Sequence, residues 1–246
     1  MNVKSCMLIV AAMLLSIGLV ACGGQEASSS ASESRGASDS AVVEKQSVLS
    51  SEASSSKLAS SASSSGDYSA QVSIEGDYSY ENKYNTYHVL VVKNNSDATL
   101  KIVSNSTALD GNGSLVGADD ADSRAVGPGC TSYLLEVFSK VSGVSKFETN
   151  LSASVDKTAS VLQDLELTAT SAGSNVVLQC TNSGEQEAEF VQALVLFFEG
   201  DALVDTAEKY LSNGSEPLGP GATQSEQVST RESFDSVSAY LSGRGK

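Results

Sequence analysis

The chain passes through three hydrophobic regimes. From Met7 to Ala21 it is nearly all apolar. From residue 25 to 66 apolar positions almost vanish. From residue 67 onward they return in short runs, many of them alternating with polar positions. The last regime is a strand signal, since a period of two puts one face of a strand into a core and the other into water. Residues 88–93 and 175–181 are β-branched runs that end in Asn and Ser, which start turns. Residues 99–109 and 189–198 come next, then short returning strands at 115–118 and 203–205. Residues 131–138 and 223–229 follow, and 146–155 and 234–241 come last. Residues 71–74 and 165–170 lead each series. Asp110-Gly111-Asn112-Gly113 is a hairpin turn, because Asn and Gly adopt positive φ at little cost. Residues 205–211 read as one helical turn.

These pairs of segments expose an internal repeat. Val91-Val92-Lys93-Asn94-Asn95-Ser96 resembles Leu178-Gln179-Cys180-Thr181-Asn182-Ser183, with Asn94 and Asn182 at an offset of 88. The same offset relates Val103 to Val191, Leu109 to Phe197, Leu115 to Leu203 and Val116 to Val204. Gly127-Pro128-Gly129 matches Gly219-Pro220-Gly221 at an offset of 92, after extra residues near Tyr210. Seven or so short strands in each copy of ~90 residues suit an immunoglobulin-like sandwich. The expected fold is all-β, with two tandem immunoglobulin-like β-sandwich modules at residues 67–157 and 158–246.

The order of an Asn-Asn-Ser-Asp turn, a long strand, Asp-x-x-Gly, Leu-Val and Gly-Pro-Gly resembles the FxLYD-type extracellular modules of bacterial lipoproteins. Ser106-Thr107-Ala108-Leu109-Asp110 keeps the final Asp of that motif. Leu194-Val195-Leu196-Phe197-Phe198 keeps its apolar character. The resemblance implies an extracellular module with no catalytic residues.

The amino-terminal regimes fit that setting. Lys4 precedes an apolar run of 15 residues, Met7 to Ala21. That is shorter than the ~20 residues of a membrane-spanning helix, and it reads as a secretory signal at residues 1–21. Leu19-Val20-Ala21-Cys22-Gly23 resembles a bacterial lipobox. The resemblance implies cleavage before Cys22 and a diacylglyceryl thioether on its sulfur. Two acyl chains give the stable anchoring that one does not. Residues 22–66 are then the lipidated cysteine and a disordered Ser/Ala-rich linker, too poor in apolar surface to offset ordering entropy. As a coil the linker spans ~35 Å on average. Residues 41–58 have a weak helical alternative.

Charge and chemistry narrow the function. The formal charge is −15, which repels nucleic acid and anionic headgroups. With Cys6 in the signal and Cys22 lipidated, Cys130 and Cys180 remain. Two readings stand for them: a disulfide, in an oxidising compartment, or two separate buried thiols. His88 is the only histidine, so no catalytic triad or His-based metal cluster is available. No phosphate loop occurs. Asp110 onward starts like a calcium loop but lacks the glycine and glutamate that such loops need. No metal or cofactor is expected. Tyr68, Tyr78, Tyr80, Tyr84 and Tyr87 crowd into 20 residues. Tyr78, Tyr80, Tyr84 and Tyr87 are candidates for a surface that meets a protein or glycan partner, or for packing at the open edge of the first sandwich.

The expectation is a non-enzymatic protein anchored to the membrane by its lipid, with its body at the cell surface or in the wall as a binding or adhesion module. The alternative is a ligand-capturing lipoprotein that serves a transporter or envelope complex.

Overall fold

The computed structural model describes residues 66–246. The signal segment, Cys22 and the serine-rich tract lie outside the described residues. The alternating runs form twelve strands. In the first half these are β1 (Val72–Glu81), β2 (Asn85–Asn94), β3 (Leu100–Leu109), β4 (Leu115–Val126), β5 (Thr131–Ser139) and β6 (Lys146–Val155). In the second half they are β7 (Leu165–Ala172), β8 (Asn175–Asn182), β9 (Ala188–Glu199), β10 (Ala202–Ser212), β11 (Thr223–Ser229) and β12 (Ser236–Gly245). Among the described residues there is no α-helix, only 3-10 turns at Ser69–Gln71 and Leu162–Asp164. The fold is all-β.

The sheets run β1-β2-β5 and β4-β3-β6 in the first half, β11-β8-β7 and β10-β9-β12 in the second. Adding six to each strand number turns the first pair of sheets into the second. The sequence repeat is therefore a repeat of topology. Each half is a pair of antiparallel sheets with Greek-key crossings, in the manner of an immunoglobulin-like sandwich. Each has six strands rather than about seven.

Leu90, Val92 and Leu134 face Leu100 and Ile102 across the first sandwich; Val176, Leu178 and Cys180 face Val191, Val195 and Phe197 across the second. All of these are buried, and each aliphatic side chain so removed from water contributes ~1.5–3 kcal/mol.

A second buried cluster lies between the sandwiches. Val89 and Tyr133, on the outer face of β1-β2-β5, meet Leu194, Leu196, Phe198 and Leu203 on the outer face of β10-β9-β12. This explains two runs that do not alternate. Residues 89–92 and 194–198 are apolar at every position because both faces of β2 and β9 are covered. The twelve strands cluster as one compact unit.

Several expectations change. Residues 205–211 belong to β10, since pairing with β9 outweighs the weak drive to nucleate one helical turn. Strands β1 and β4 run well past the expected 71–74 and 115–118, because alternation at a sheet edge is carried by polar residues. The match of Val103 to Val191 is off by one. Glu189 is an extra residue in β9, where the register against β12 shifts between Arg244 and Gly245. Val191 therefore faces the core, as Ile102 does, while Val103 lies on the outer side. A slip of one residue reverses every side chain. The expected hairpin at Asp110 is present. Gly113 has φ +78°, and the Asp110 carboxylate accepts from the N–H of Asn112 at 2.8 Å and of Ser114 at 2.9 Å.

Candidate functional site

The four tyrosines separate. Tyr78 meets Phe198 edge-on, with ring centroids 5.3 Å apart. The Tyr80 hydroxyl donates to Asp205 Oδ1 at 3.1 Å and lies 3.1 Å from Thr206 Oγ1. Tyr87 stacks on Tyr80 at 4.6 Å. Burial raises the Tyr80 phenol above its ordinary value. Tyr78 thus packs on β9, and Tyr80 is held between Tyr87 and the hydroxyl-bonding groups of β10. Tyr84, in the turn between β1 and β2, stands apart and 66% exposed.

Cys130 and Cys180 are both buried thiols, and no disulfide joins them. Cys180 sits on the inner face of β8, where burial pushes its thiol up to about 12.

His88 is fully buried on the inner face of β2. Its Nδ1 lies 2.7 Å from Glu136 Oε2 and its Nε2 2.9 Å from Asp77 Oδ1. Each ring nitrogen thus faces a carboxylate oxygen at hydrogen-bond distance. Glu136, also fully buried, accepts from the Ser104 hydroxyl at 2.6 Å. Phe147 stacks on the imidazole at 4.1 Å. Val176, Val228 and Ala193 hold the equivalent places in the second sandwich, where the pair Val176–Val228 matches His88–Glu136. Ser104 gives its proton to Glu136 rather than to His88, so the cluster contains no activated nucleophile. It is a polar packing unit of the first sandwich.

An open groove lies beside the seam. The outer face of β10-β9-β12 is wider than the sheet that covers it. Its apolar part lies under β1-β2-β5. Its polar part, with Phe190, Gln192, Glu208, Ser242 and Arg244, continues past β5 and faces β4. Asp120, Asp122 and Arg124 alternate along β4 and form the opposite wall. Two hollows, of about 200 and about 210 Å³, adjoin at Asp122, Gln192 and Ser242.

The charges in the groove are segregated toward its ends, with Asp122 at the junction of the two hollows. Asp120, Asp122 and Glu208 line one hollow; Arg124 and Arg244 line the other together with Phe190. Glu208 accepts from the Tyr133 hydroxyl at 3.1 Å. It keeps a solvent-facing side, yet shielding of its inner side raises its carboxyl above the usual range. Asp122 pairs with Lys101 at 3.5 Å and Arg124 with Asp156 at 3.3 Å. Among the described residues, Asp120 pairs with no cation and Arg244 with no carboxylate. The Arg244 guanidinium lies over the Phe190 ring, 4.8 Å from its centroid. This arrangement can take up ionic and hydrogen-bonding groups of both signs.

The linear chain does not single these groove residues out as a site. Asp120, Asp122 and Arg124 look like ordinary solvated charge, and their partners lie about 70 or more residues further along. The Asp-x-Asp-x-Arg spacing on a strand is the only local signal. Among the described residues, no group of three or more His, Cys, Asp or Glu side chains is placed to hold a metal ion. No protein-family model matches the chain, and no curated protein matches it.

Proposed function

We propose that this chain is a lipid-anchored extracytoplasmic protein in which Cys22 carries the anchor, residues 25–66 serve as a tether, and the twin sandwich is a non-enzymatic binding module. The observation that carries the reading is the groove, where polar and charged side chains from both halves converge on open space. The reading is non-catalytic because the only histidine is sealed between two carboxylates. The −15 charge suits a body that stands off an anionic membrane surface. The lipobox resemblance at Leu19-Val20-Ala21-Cys22 and the FxLYD-type resemblance support the location.

A second reading, capture of a small ligand for delivery to a transporter or envelope complex, is favoured by the size of the paired hollows. Together they fall in the lower part of the ~300–1,000 Å³ usual for small-ligand sites.

The test is fractionation of cells that carry the wild-type chain or Cys22→Ala, followed by protease treatment of intact cells. The wild type is expected in the membrane fraction with its body open to protease. Cys22→Ala is expected in the soluble fraction or as uncleaved precursor. Membrane retention unchanged by Cys22→Ala rejects the anchor. Retention of the released protein on isolated envelopes, lost on Arg244→Gln, supports adhesion; a co-purifying small molecule supports capture.

A further inference from the structure

Building on the binding reading, we propose that the groove beside the seam binds a short extended peptide of three or four residues with both ends free, its ammonium at Asp120 and Glu208 and its carboxylate at Arg124 and Arg244. The argument begins with spacing. Asp120 and Arg124 are four residues apart on the same face of β4, which at ~3.3 Å per residue is ~13 Å. On the other wall Glu208 and Arg244 have the same offset along the strand direction, with about 10 Å of sheet width between them as well, since β10 and β12 flank β9. Glu208 pairs with Leu194 and Arg244 with Phe190, four residues apart along β9. Both walls therefore place acid and base at the same offset along the strands, and in the same direction. An extended peptide covers ~3.3–3.6 Å per residue. Three or four residues bring a terminal ammonium and a terminal carboxylate to that separation, and a single amino acid falls far short.

The interior of the groove suits a peptide backbone. Gln192 and Ser242 lie where the two hollows meet, and they supply an amide and a hydroxyl able to donate and accept. The internal ion pairs leave the ends available. Lys101 already balances Asp122 and Asp156 balances Arg124. That leaves Asp120 and Glu208 with a net need for a cation and Arg244 with a need for an anion. Phe190 holds the Arg244 guanidinium over its ring, which limits the freedom it loses on binding a carboxylate.

The test is calorimetric titration of the full-length, detergent-extracted protein with alanine peptides of one to five residues. Trialanine and tetraalanine are expected to bind, and alanine is not. N-acetyl-tetraalanine and tetraalanine amide are each expected to bind about tenfold or more weakly than the free peptide. Arg244→Gln should remove the penalty of the amide and leave that of the acetyl group. Glu208→Gln with Asp120→Asn should do the reverse. The blocked peptides decide the matter on the wild type alone should any variant fail to fold. Absence of tetraalanine binding, or equal binding of a doubly blocked peptide, overturns the proposal. Envelope retention that survives such a result leaves the binding module standing without this ligand; loss of both rejects the two together.

Discussion

Asn182 repeats in the second sandwich the main bonds that Asn94 makes in the first. Both are fully buried. The Asn94 amide donates to Ala98 O at 2.7 Å and Val126 O at 2.8 Å; the Asn182 amide donates to Gln186 O and Leu218 O, both at 2.8 Å. Their side-chain oxygens accept from the N–H of Ser96 and Gly184. Their backbones bond to Cys130 and Gly129, and to Ala222 and Gly221. Each asparagine thus ties the β2–β3 type of loop to the Gly-Pro-Gly loop. The Asn-Ser signal and the Gly-Pro-Gly signal in the sequence are two sides of one clamp.

Replacing either asparagine by alanine leaves buried carbonyls without donors. Asn94→Ala and Asn182→Ala are each expected to cost about 1–3 kcal/mol, measured by urea unfolding. A loss within the error of the method at both positions would count against the clamp.

The second sandwich shows that the His88–Glu136 pair is one of two solutions to the same packing problem. Removing one member of a buried hydrogen-bonded pair leaves the other unsatisfied and costs about 1–3 kcal/mol or more, whereas joint replacement by apolar groups is often near neutral. Glu136→Leu and His88→Leu are each expected to destabilise strongly. The double variant should lose less than either single one, toward the Val176–Val228 arrangement. A double variant as unstable as the sum of the singles would show that the two side chains are needed beyond each other.

The seam depends on a few large apolar side chains. Leu196 is fully buried there, and Leu196→Ala should cost about 2–5 kcal/mol. Because the side chain bridges the sandwiches, the variant should also unfold over a broader range in calorimetry as the halves uncouple. A loss of stability with an unbroadened, single transition would place the cooperativity elsewhere.

Asp156 gives the protein an acid limit. Burial pushes its carboxyl up, but the N–H of Thr158, the N–H of Ala125 and the Arg124 guanidinium outweigh that and hold it below its ordinary 3.8. A carboxyl lowered by folding stabilises above its unfolded value, and the contribution is lost as pH falls through the folded one. Asp156→Asn is therefore expected to lower Tm at pH 7 and to converge on the wild type as pH falls below the lowered folded value. The bond to Ala125 N at 3.2 Å also secures a non-glycine residue at φ +54°. A gap in Tm that is constant from pH 7 to pH 2 would assign the loss to packing instead.

Much of the strand order was legible in the linear chain because its signals are local. Alternation, Asn-Ser and Gly-Pro-Gly turns and the Asp110 hairpin each act over a few residues. The edges were not: β1, β4 and β10 are long strands with polar or mixed faces, and their pairing comes from neighbours elsewhere in the chain. The tyrosines were visible as a cluster, but composition alone does not say what covers an aromatic face.

The amino-acid order determined an all-β, acidic, duplicated chain with one histidine. The tertiary structure decided which strand faces were buried twice, where Tyr78 and Tyr80 packed, and that Asp120 and Arg124 stand opposite Glu208 and Arg244. The reason is range. Turn and strand preferences are set by adjacent residues, while a seam and its groove exist only once two separately patterned faces have met.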